Sequence, residues 1–153
     1  MLAVALSIAT GERVDAQPSP ILLDGSGGGR PTHERGCLSY EPVVVVLEGT
    51  LEEREGYPPD NEPEMYWALE LPQPIFVSAS RVDPEMNIEE TGVSRVHLTL
   101  PWRTRKRDQP YVAQLVGRVV RAEGTLFHQH TAHHHETLVL VATRVTSKKV
   151  RRR

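Results

Sequence analysis

The chain has 153 residues, 39% of them hydrophobic and 25% charged, which fits one soluble globular domain large enough to bury a core. Its net charge of −2 gives no overall attraction to nucleic acid. No run reaches the ~18–20 apolar residues of a membrane-spanning helix, and the one cysteine, Cys37, cannot form an internal disulfide.

Residues 1–16 hold a short apolar run, "LAVALSIA", followed by "VDAQ", with small residues placed for cleavage after Ala16. A truncated signal peptide is the reading preferred for them, although a basic start is missing and Glu12, Arg13 and Asp15 crowd the cut. The alternative is an N-terminal tail, in which case the chain stays in the cytoplasm. Residues 17–36, "QPSPILLDGSGGGRPTHERG", are too rich in Pro, Gly and Ser to bury apolar surface and read as a disordered linker. "GSGGG" lacks the strand and helix that a phosphate loop requires.

The folded domain is expected over 37–146, with a basic tail at 147–153. "PVVVVLEGTLEE" (42–53) reads as a strand with Val43, Val45, Leu47 and Leu51 on one face and a bend at Gly49. The acidic stretch that follows reads as solvated loop. "EMYWALELPQPIFV" (64–77) alternates, with Trp67, Leu69 and Leu71 on one side, until Pro72 and Pro74 end it, bend it or mark an edge. "VSRVHLTL" (93–100) turns Val96, Leu98 and Leu100 inward and leaves His97 on the polar face. "QPYVAQLVG" (109–117) predicts a short helix closed by Gly117. "RVVRAEGTLFHQH" (118–130) and "ETLVLVATRV" (136–145) predict two strands of a hairpin. "LEGTL" and "AEGTL" repeat Glu-Gly-Thr-Leu after valine-rich runs. Two sharply bent strands suit a small coiled barrel. Three strands, a helix and two strands is the order of the OB-fold, so the expected class is all-β with one short helix, a small OB-like five-stranded Greek-key barrel.

The chemistry concentrates at the hairpin tip. His128, His130, His133, His134 and His135 fall within residues 128–135. Alternation puts His128 and His130 at the end of the row Val120, Ala122, Gly124 and Leu126, at the barrel rim, unless a bulge at Gly124 turns them outward. Two imidazoles on one strand face with a third from the turn would suit Zn²⁺ or another transition metal, with Glu136 as a further ligand or an acceptor behind one. The spacing matches no strong zinc signature. A protein-contact surface or a structural tip fits as well. No other catalytic motif stands out. Trp102 beside "RTRKR" is the feature closest to a nucleic-acid site.

The segments "CLSYEPVVVVLEGTL", "EPEMYWALELPQPIFV" and "VGRVVRAEGTLFHQHTAHHHETLVL" resemble an uncharacterised bacterial family, domain of unknown function 4431. The resemblance spans about 37–145 and is most specific at "GTLFHQHTAHHHETLVL", carried by Thr125, Thr131, His133, His134 and His135. It implies an exported, periplasmic or secreted protein, since members look exported and some are joined to a lysozyme-inhibitor-like domain. Similar sequences often place a cysteine where Phe76 stands here, which implies a disulfide partner for Cys37 that this chain lacks. Gln129 also replaces a usual alanine. The expectation is therefore a non-enzymatic envelope binding module. Its histidine rim, with Thr125, Phe127, Thr131 and Glu136, would hold an envelope protein, such as a lysozyme-like hydrolase, or a metal. The alternatives are a three-histidine zinc hydrolase and an OB-type nucleic-acid binder.

Overall fold

The computed structural model describes residues 37–59 and 62–148. The expectations for 1–36 and for the end of the basic tail lie outside the described residues. Within them, six strands and one helix follow in the order β1 (Cys37–Ser39), β2 (Val44–Gly56), β3 (Glu64–Ser78), β4 (Glu90–Thr99), α1 (Arg105–Ala113), β5 (Val119–His128) and β6 (Leu138–Ser147).

The five long strands pair in a ring. β2 lies antiparallel to both β3 and β5, β5 antiparallel to β6, β6 parallel to β4, and β4 antiparallel to β3. With α1 between β4 and β5, this is the order expected of an OB-like fold. The ring is partly open, because the β4–β6 ladder holds only His97–Thr99 against Val139–Val141 and the β3–β4 ladder is interrupted after Glu70. Pro72 and Pro74 stand at that interruption, where their missing N–H groups cost no ladder bond.

Two expectations need correction. The sheet has six strands, not five: β1 pairs in parallel with the second half of β3, after β3 has left β2 beyond Glu70. Cys37 pairs with Phe76 there, the position where the resemblance implies a second cysteine. The helix, expected at 109–117, runs instead from Arg105 to Ala113 and contains Pro110. A proline suits a helix start, but the turn is already established upstream. The Pro101 carbonyl accepts the N–H groups of Thr104 and Arg105, and the Thr104 carbonyl those of Arg107 and Asp108.

The core sits inside the ring. Val45, Leu47 and Leu51 from β2, Leu69 and Leu71 from β3, and Val96 and Leu98 from β4 are buried. Val120, Ala122 and Leu126 from β5 meet Leu138 and Leu140 from β6 in the same cluster. Fully burying a side chain of this size is worth ~1.5–3 kcal/mol. The repeated glycines have one shared cause. A Cβ on Gly49 would lie 2.3 Å from the Glu70 carbonyl oxygen, and one on Gly124 would lie 2.0 Å from that of Val141. Each lets a neighbouring strand's backbone approach more closely than any side chain would allow. The bulge at this level belongs to β6: Glu123 faces Arg144 and Gly124 faces Ala142, leaving Thr143 over. β5 itself keeps its alternation to the tip.

Candidate functional site

The hairpin tip bends away from the barrel mouth and lies over the outer face of β3 and β4, dividing the five imidazoles. His128 ends the inner row of β5 and stays at the rim. Its Nε2 lies 3.0 Å from Glu90, its Nδ1 3.0 Å from the Gln129 carbonyl, and its N–H donates to the side chain of buried Asn87. His130, His133, His134 and His135 gather on the outside.

That outer cluster rests on residues distant in sequence. The carboxylate of Glu64, the first residue of β3, meets His133 Nδ1 at 3.0 Å and His135 Nε2 at 2.6 Å. Burial works to raise the Glu64 pKa, but the hydrogen bonds with His135 and His133 outweigh it and hold the group below the usual carboxylate value. The His135 ring packs on Tyr66 at 4.7 Å and over Gly56, where a Cβ would come 2.5 Å from the ring. Tyr66 donates its hydroxyl to Glu136 at 2.8 Å. Arg95 on β4 spans Glu70 at 3.1 Å and Glu136 at 3.5 Å.

His97 lies at the centre. It is only 9% exposed, lies 5.0 Å from the Tyr66 ring, and has the His135 ring stacked at 6.0 Å and His134 edge-on at 6.0 Å. The N–H of His135 donates to its Nδ1, so the ring proton sits on Nε2. Burial, reinforced by His134 and His135, pushes its pKa down to about 4, and the ring is neutral at pH 7. His134 repeats the pattern. Its Nδ1 accepts the N–H of His130, and burial lowers its pKa too.

The other expected site residues take smaller parts. Phe127, on the outer row of β5, supports the rings of His130 and His134 at 5.0 and 5.1 Å. Thr131 is exposed and accepts the His134 N–H through its carbonyl. Thr125 is a half-buried ladder residue between Val44 and Val141. Glu136 is the anchor just described. The imidazole nitrogens thus serve as hydrogen-bond partners, and among the described residues no three His, Cys, Asp or Glu side chains are arranged to hold a metal ion.

Beside the cluster, over β3 and β4, opens a groove of about 410 Å³, lined by His97, His133, His134, Glu53, Glu64, Trp67, Thr99, Arg105 and Gln109 among others. Its size falls in the ~300–1,000 Å³ range of small-molecule sites. It lies on the face that OB-folds use, formed by their second and third strands with the loops between strands one and two and between strands four and five. Trp102 is 80% exposed beside Arg103, and Arg105 turns back to donate to Thr99 at 2.9 Å.

Sequence reasoning missed Gly56, Glu64, Tyr66 and His97 as members of this site. The acidic run of 52–64 masked the fact that β2 continues to Gly56, and His97 lies 38 residues from the ring it supports. No helix among the described residues is long and apolar enough to cross a membrane.

No curated protein matches the chain. Residues 95–146, which run from β4 through α1 and β5 into the end of β6 and so include the whole histidine hairpin, match the sequence model of the domain of unknown function DUF4431.

Proposed function

We propose that the protein is a non-enzymatic binding module of the bacterial envelope, whose ligand face is the groove over β3 and β4 beside the histidine hairpin. The envelope setting follows the resemblance to exported proteins, and the expected ligand is an envelope component. The observation that carries the reading is the docked hairpin. Glu64, Tyr66, Arg95 and His97 hold His133–Glu136 against the barrel. The groove wall is therefore set before any ligand arrives, which reduces the ordering cost of binding.

The same contacts favour binding over catalysis. A three-histidine zinc hydrolase needs imidazole lone pairs converging on one point. Here the Nδ1 atoms of His97 and His134 take backbone N–H groups, and His133 and His135 share a carboxylate.

The test is affinity capture from envelope extract with the untagged protein immobilised, run beside a Gln109→Trp variant that fills the groove from exposed α1. The reading predicts a captured component that the variant loses. Equal capture by both proteins, or none by either, overturns it.

A further inference from the structure

Resting on that reading of the groove, we propose that its ligand is an uncharged oligosaccharide segment. The wall combines hydrogen-bond donors, most of them neutral, with carboxylate acceptors. His97 and His134 each give up Nδ1 to a backbone N–H, so both groove-lining rings carry their proton on Nε2 as a donor. Gln109 adds an amide, and Arg105 keeps guanidinium N–H groups beyond the one given to Thr99. Glu53 and Glu64 supply the acceptors, and the half-buried ring of Trp67 supplies an apolar face.

Sugar hydroxyls donate and accept, so they satisfy both kinds of wall at once, while a pyranose C–H face packs on an aromatic ring. A nucleic-acid strand fits poorly. Its phosphates would pass Glu53 and Glu64, and such binding draws on a basic groove with stacked rings. Arg105 is the one cationic side chain among the lining residues, against the two carboxylates of Glu53 and Glu64. An acyl chain would leave the donors and carboxylates of the groove unpaired, at the usual cost of burying polar groups without partners.

The experiment uses the full chain labelled with ¹⁵N, titrated separately with chitotetraose, cellotetraose, maltotetraose and a single-stranded oligothymidylate, at low and high salt. At least one saccharide is expected to shift the Trp67 indole and the amides around His97 and His134, with a Kd below ~1 mM. The affinity should not change with salt, and it should weaken about tenfold in Gln109→Ala. No saccharide response overturns the proposal, as does a response confined to the oligothymidylate and lost at high salt. If Gln109→Trp still abolishes capture of an envelope protein while no saccharide binds, this proposal fails and the binding reading stands. If capture fails as well, both fall.

Discussion

β5 has two faces that follow different rules. Its inner row, Val120, Ala122, Gly124 and Leu126, is buried and closed by the facing strands. Its outer row leads through Phe127 into a polar tip that rests on β3 and β4. The inner face is held by apolar contact and backbone proximity, which are non-directional and cooperative. The outer one is held by a few directional bonds among Glu64, Tyr66, Arg95, His97 and the hairpin. The inner face should therefore fail as a whole, whereas the outer one should fail in parts and respond to pH.

The largest expected effect comes from the inside. Gly124→Val would place carbon 2.0 Å from the Val141 carbonyl oxygen, and backbone cannot yield as a flexible side chain does. A loss above ~4 kcal/mol is expected, read as an absence of cooperative urea unfolding. A stable variant would show that the ring can relax at this close approach.

Acid should act next, and only outside. His97 faces Tyr66 from β3, His134 and His135 from the hairpin, and the charges of Glu64 and Arg105. Its folded pKa of about 4 lies below the ordinary 6.5, so the fold favours the neutral ring. That stabilisation is complete above pH 6.5 and is lost as pH falls toward 4. At about 1.36 kcal/mol per pKa unit the loss amounts to roughly 3 kcal/mol. Urea unfolding across this range checks it, with His97→Gln expected to flatten the profile.

Gly56→Val tests the seat of the hairpin. Its side chain would occupy the place of the His135 ring, which can swing away, so a cost of about 1–3 kcal/mol is expected. Faster hydrogen exchange should be confined to residues 129–137. Glu64→Gln should cost least, about 1 kcal/mol, because the carboxylate is a third exposed and solvent screens its pairs. Its signature is a displacement of the His133 and His135 ring resonances by NMR, with the core amides unmoved.

The contrast between the faces also accounts for what could be read from the sequence. Val96, Leu98 and Leu100 revealed the core because burial imposes a period of two on each strand. The glycines of the repeated Glu-Gly-Thr-Leu marked the bends. The outer face left no such trace. Glu64 looked like one more acid in a loop, and His97 like an ordinary polar-face residue, because a hydrogen bond between distant residues has no sequence period. The expectation of His128 and His130 side by side at the rim followed alternation past His128, where the ladder ends and alternation no longer governs. The helix was misplaced for a similar reason. Gly117 was read as its close, whereas the carbonyls of Pro101 and Thr104 begin the turn earlier and the helix ends at Ala113.

The docked hairpin stands or falls with the state of one ring. Long-range ¹H–¹⁵N correlation of the imidazoles, followed from pH 8 to the acid limit of the fold, reads it directly. His97 should be neutral with its proton on Nε2 and remain so until the pH approaches about 4. A His97 that titrates near 6.5 with mixed tautomers, as a solvated histidine does, would contradict the account.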